Sequence, residues 1–226
     1  MMLSKTMLVL PIFMVFGFHP LKKETQLDIS VGLKKAEDYS NPLIAFSYEW
    51  NQPIYQQANT AQNETYLSSN EKQVIWILNL VRYNPTLFLK TVLLNPKCKY
   101  YKAVSQRNAY ERSLISTLEN SRSIESFLLP NELAFNSAQC HAIKSGKKSY
   151  VGHERKGNGC KEYYKGECCQ YGYADPLSII LELLIDNNVP YVGHRKICMD
   201  EIYTSLGVST QPHKTFGWNT VLDFYY

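Results

Sequence analysis

Two histidines and two carboxylates stand out in this chain of 226 residues: His153 in Gly152-His153, Glu167 in Gly166-Glu167-Cys168, Asp186 at the end of an apolar run, and His194 in Gly193-His194-Arg195. Neutral imidazole nitrogens combined with carboxylate oxygens suit zinc or a similar divalent cation, provided the four groups converge. A cation with an open position would acidify a bound water, and Glu167 or Asp186 could then serve as general base in a hydrolysis. The same four groups can instead order a cleft that holds a lipid, a glycan or a peptide without turnover, or simply stabilise the domain. Both histidines follow a glycine, which permits close backbone approach, and both lie near a basic residue, Arg155 or Arg195. Neither an H-E-x-x-H helix nor a G-x-S-x-G turn occurs. Of the other histidines, His141 reads as packing or helix surface beside Cys140, while His213 and His19 fall in a hairpin loop and at a leader boundary.

These groups need elements to position them, and the sequence marks several. Ser68 and Glu71 have capping-box spacing ahead of Val74-Ile75-Trp76-Ile77-Leu78, which predicts a helix to about Tyr83. Asn84-Pro85 starts a second helix reaching Leu94, and a third is expected over 107–119. Pro130-Asn131 opens a fourth that stops at Gly146 as a C-terminal glycine. Asp175-Pro176 opens a fifth, apolar on most faces from Leu177 to Ile185 and therefore buried. On it Ser178, Glu182 and Asp186 form a polar line, and a short return from Asn187 to Val192 brings His194 back towards Asp186. Two strands follow, Ile202–Ser209 and Phe216–Phe224, joined by a loop over 210–215.

The apolar run from Met7 to Phe18 behind Lys5 is too short to cross a bilayer and reads as a signal peptide over 1–18. A polar, partly disordered lead-in over 19–67 and one domain over 68–226 are expected to follow. No later segment has the length of a membrane span, so the product is expected to be secreted or periplasmic. The net charge of +4 comes from scattered lysines, which gives nucleic-acid binding no support. In an oxidising compartment Cys98, Cys140, Cys160, Cys168, Cys169 and Cys198 are all disulfide candidates, with adjacent Cys168 and Cys169 paired elsewhere rather than to each other. The oligomeric state is left open.

The order of these motifs resembles a known family. Gly-His at 152, Gly-Glu-Cys-Cys-x-Tyr-Gly-Tyr from 166, Asp-Pro with an apolar helix, Gly-His-Arg at 193, Leu206-Gly207-Val208 and Val221-Leu222-Asp223-Phe224 look like the CAP superfamily of cysteine-rich secretory, antigen 5 and pathogenesis-related proteins, also called SCP domains. The likeness runs over about residues 68–226 and is nearest to the bacterial secreted branch. It implies an α+β fold, a three-layer α-β-α sandwich around a mainly antiparallel sheet. It also implies a cleft formed by His153, Glu167, Asp186 and His194, with Gly193 and Arg195 in support. Members of the family are regarded mostly as binding or effector proteins, some taking up sterols or fatty acids. Two departures are visible: Cys168 replaces the asparagine that follows the first acid, and Asp186 is one methylene shorter than the glutamate common in eukaryotic members.

Overall fold

The computed structural model describes residues 40–155 and 159–226. The expected signal peptide and the start of the expected lead-in lie outside them. From residue 40 onward the lead-in packs into the domain. It contains helix α1 (Pro53–Gln57) and buries Leu43, Trp50, Tyr55, Ala58, Ala61 and Leu67 in the main core. The polar letters hid this because a few large anchors do the work. Trp50 is fully buried, and its indole N–H donates to Thr91 Oγ1 at 2.9 Å.

Helix α2 (Ser69–Tyr83) begins as its capping box requires, and buried Glu71 also accepts from the backbone of Thr210 at 2.8 Å, tying this helix end to the sheet. Helix α3 (Pro85–Phe88) opens on Asn84 and continues into a wider turn over Leu89–Leu93. Helix α4 (Ala109–Asn120) is capped by Asn108, two residues later than expected. After the short strand β1 (Leu129–Pro130), helix α5 (Glu132–Lys148) is capped by Asn131 and closed by left-handed Ser149. Gly146 is therefore not its terminator. A Cβ there would meet the Pro212 carbonyl oxygen at 2.1 Å, so this glycine lets the helix lie against the sheet.

Strand β2 (Gly166–Tyr171) was not legible, because five of its six residues are buried and no alternation marks them. Helix α6 (Pro176–Ile185) follows with Asp175 as cap, then α7 (Gly193–Cys198), then the hairpin β3 (Ser205–His213) and β4 (Gly217–Tyr225). β3 starts three residues later than predicted and reaches four further, β4 is displaced by one residue, and the connection shrinks to three residues. His213 organises it: Nδ1 accepts from the amides of Thr215 and Phe216.

The fold is α+β, with a mixed sheet in the order β1-β3-β4-β2. β1 runs parallel to β3, whereas β3–β4 and β4–β2 are antiparallel. Alternation divides the inner strands between two faces. Cys168, Leu206, Val208, Leu222 and Phe224 enter the large core with α2 and α6, while Cys169 and Val221 pack on Ala138 and Ala142 of α5. Gly207 marks where α5 comes nearest, since a Cβ would lie 2.0 Å from the Phe135 nitrogen. Gly207→Ala is expected to force α5 off the sheet and cost about 1–3 kcal/mol, the usual range for overpacking. A urea midpoint equal to that of the wild type would disprove this tight seam.

Candidate functional site

The site is built at edge strand β2. Its alternation sends Glu167 and Cys169 to the α5 face and Cys168 to the opposite face, so neighbouring residues of one strand reach both sides of the sheet. The loop after α5 brings His153 to the first side. Its Nδ1 lies 2.8 Å from Glu167 Oε1. Gly152 permits that approach with φ of 131°, and its amide is held by Tyr171 Oη at 2.9 Å. The disulfide Cys140–Cys160, Cα atoms 5.6 Å apart, joins the start and end of the segment that carries His153.

On the second side Asp186 ends α6 in a left-handed conformation at φ of 56°. Its carboxylate takes the backbone N–H of His194 at 2.9 Å and His194 Nδ1 at 2.8 Å, with the Arg195 amide 3.4 Å away. One side chain thus caps α7 and orients the imidazole. The return loop is strained: Asn188, Tyr191 and Val192 also have positive φ, and for β-branched Val192 this is costly. Arg195, buried, donates to the carbonyls of Leu184, Ile185 and Tyr110 and to Ser113 Oγ, closing the α6 terminus onto α4. Arg82 does the same for α7, binding the Cys198 carbonyl at 2.9 Å and that of Asp200 at 2.8 Å.

The four residues predicted for the site meet as two dyads, His153–Glu167 and His194–Asp186, with imidazole centroids 5.6 Å apart. Their exposures differ in a useful way. The acids are 3% and 1% exposed, His194 14% and His153 52%, so rings face outward from buried carboxylates. Each carboxylate accepts the Nδ1 proton, which leaves the Nε2 lone pair for a ligand; this is how metal-binding histidines are commonly held. Burial, and then the charge of Arg155, hold the His153 imidazole below its ordinary pKa, which favours the neutral form that can ligate.

Glu182 stands apart from the dyads and accepts from Tyr100 Oη at 2.9 Å, in keeping with a structural role. Gly193 supports the site less than its motif implied: its φ of −62° is helical and a Cβ would meet open space, so nothing there demands glycine. His141 is buried packing rather than helix surface, and Cys140, held in the disulfide, is not its catalytic partner. Cys98, Cys168, Cys169 and Cys198 are buried thiols. Cys168 Sγ donates to the His194 carbonyl at 3.7 Å across the β2–α7 contact, and burial, with Cys198 beside it, raises its pKa far above the ordinary thiol value.

No family model, curated protein or solved structure significantly matches this chain. The site must therefore be judged by its own chemistry, and here sequence reasoning missed a central part.

Beneath the first dyad, buried Arg155 bonds Glu167 Oε2 and lies 3.0 Å from both oxygens of Asp223, the β4 partner of Glu167 in register. Ser137 of α5 completes the network by donating to Asp223 at 2.6 Å and receiving Arg155 Nη1 at 2.8 Å. The one charged letter of this strand, set between Leu222 and Phe224, was the available signal.

Burial pushes the Asp223 carboxyl up to about 6, with Arg155 and Ser137 pulling the other way. A raised folded pKa favours the native state at low pH, and this contribution is lost as pH rises through about 6. His153, shifted downward, works in the opposite direction, so the group must be isolated by difference. The stability of wild type minus that of Asp223→Asn, followed in urea, should decline as pH rises from the ordinary carboxylate range to neutrality. A flat difference would show that Asp223 is not perturbed.

Proposed function

We propose that this chain is an exported binding protein of CAP-like, three-layer architecture whose cleft takes a divalent cation such as zinc between His153 and His194, without turnover. The observation that carries the reading is the pair of carboxylate-oriented imidazoles facing one another at 5.6 Å. Two neutral nitrogens on rigid supports give a cation two ligands and leave its other positions to water or to a bound molecule. A groove of about 700 Å³ lies beside α7, lined among others by Thr117, Arg122, Lys196 and Met199. Its size suits a small organic ligand, the lipid, glycan or peptide of the family resemblance.

Hydrolysis has less support, because both candidate bases are already committed. Glu167 is divided between His153 and Arg155, and Asp186 between the His194 ring and two backbone amides. At 3% and 1% exposure neither carboxylate is open to an attacking water, as a general base must be. The disulfide agrees with an extracytoplasmic setting, and no helix of the described residues is long and apolar enough to cross a membrane.

Calorimetry with zinc tests the proposal. Wild type should bind, and His153→Ala/His194→Ala should bind far more weakly at unchanged thermal stability. Equal affinity in the double variant would refute the cleft as the cation site.

A further inference from the structure

Behind the first dyad, on the α5 side of β2, three donors of different kinds gather. A ring nitrogen of His141, a carboxylate oxygen of Glu167 and Cys169 Sγ all lie within 4.8 Å of one another, and all three residues are buried. His153 Nδ1 lies 3.7 Å from the same sulfur. Ligands about 2.0–2.3 Å from a tetrahedral zinc stand about 3.3–3.8 Å from each other, so this spacing requires only a small contraction.

His141 also carries a buried acceptor that nothing fills. Its Nε2 lies 2.9 Å from the Gly152 carbonyl, an acceptor only, so Nε2 carries the proton and the lone pair sits on Nδ1. That Nδ1 is buried and has no hydrogen-bond partner, in a residue only 1% exposed. A buried acceptor left empty costs about 1–3 kcal/mol unless something fills it.

The charges also call for a cation. Glu167 and Asp223 share the single guanidinium of Arg155, so their ionised forms leave one buried negative charge over. A divalent cation bound by the Cys169 thiolate contributes one net positive charge and brings the cluster to neutrality. The thiol proton passes to bulk water as the metal–sulfur bond forms; no electron moves. Glu167 need not release its partners, since a carboxylate has about four lone-pair sites and two are occupied. A concavity of about 450 Å³, lined by His141, Ser145 and Tyr150 among others, reaches the imidazole from the surface.

We infer that His141, Glu167 and Cys169, with His153 at the margin, form a second and buried site for a thiophilic divalent cation such as zinc. It is distinct from the open cleft at His194, although Glu167 and His153 border both.

Cobalt(II) is the probe, because cobalt bound to a thiolate gives a near-ultraviolet charge-transfer absorbance that imidazole and carboxylate ligands do not. The full-length protein would be titrated anaerobically without reductant, which keeps Cys140–Cys160 intact. The expected result is a charge-transfer band in wild type that survives in His194→Ala, Cys168→Ser and Cys198→Ser. Cys169→Ala should abolish the band, and His141→Ala should weaken cobalt binding on the order of 100-fold. No band in wild type, a band that persists in Cys169→Ala, or full affinity in His141→Ala would each overturn the inference. If Cys169→Ala fails to fold, His141→Ala and the X-ray absorption of zinc-loaded wild type decide; zinc with no sulfur neighbour refutes the site. His194→Ala separates the two proposals, since its effect on zinc calorimetry reports the cleft alone.

Discussion

Arg155→Met is expected to lose about 3–5 kcal/mol of folding stability near neutral pH, the usual cost of removing one partner from a buried ionic network. The guanidinium is 1% exposed and faces Glu167 and Asp223, which are 3% and 0% exposed. Without it two carboxylates remain in register on adjacent strands, cut off from water and repelling one another. Protonation limits the damage: with the Arg155 charge gone, the Asp223 carboxyl, already pushed up to about 6, rises further and becomes neutral. The loss should therefore shrink as pH falls towards 6, where Asp223 takes up its proton in the wild type too, opposite to ordinary acid denaturation. Neutralising the whole network should restore much of the stability, so Arg155→Met/Glu167→Gln/Asp223→Asn should be more stable than Arg155→Met alone. Urea unfolding at pH 7 and pH 5 checks both claims. A loss below 1 kcal/mol, or one that grows on acidification, would mean that the network is not what holds β2 to β4.

The parts of this structure that were legible in the sequence are those set by neighbours along the chain. The Ser68–Glu71 box, Asn84-Pro85 and Asp175-Pro176 start helices because each side chain needs only an amide three residues on. The return from Asp186 to His194 was legible for the same reason: eight residues leave little choice of position. What failed depends on distant partners. Gly146 resembles a helix terminator in one dimension, and only Pro212 makes it a packing glycine. β2 carries chemistry on both faces, so its letters lose the alternation that marks a half-buried strand. The two histidines and two acids were grouped by motif order, yet their division into His153–Glu167 and His194–Asp186 follows from β2 lying between α5 and α7. Arg155 and Asp223 are 68 residues apart, and no local pattern could pair them.

Asp186→Asn is expected to leave the domain folded and to weaken cation binding at the cleft about 10- to 100-fold, the range found when a residue behind a metal-binding histidine is lost. The carboxylate serves the His194 and Arg195 amides through Oδ2 and the His194 ring through Oδ1. An asparagine offers one acceptor oxygen and one NH₂ group, so it can satisfy either the amides or the ring. If it keeps the amides, α7 stays capped and the imidazole loses the acceptor that fixes its orientation. The left-handed backbone at φ of 56° is tolerated by asparagine, which separates this effect from strain. Asp186→Ala provides the comparison. It should lose binding to a similar degree and, lacking a side chain suited to that backbone, about 1–2 kcal/mol more stability than Asp186→Asn. Zinc calorimetry on both variants, alongside thermal unfolding, distinguishes orientation from folding. Wild-type affinity in Asp186→Asn would mean that the orientation of His194 does not depend on this carboxylate, and the paired-dyad account of the cleft would fail with it.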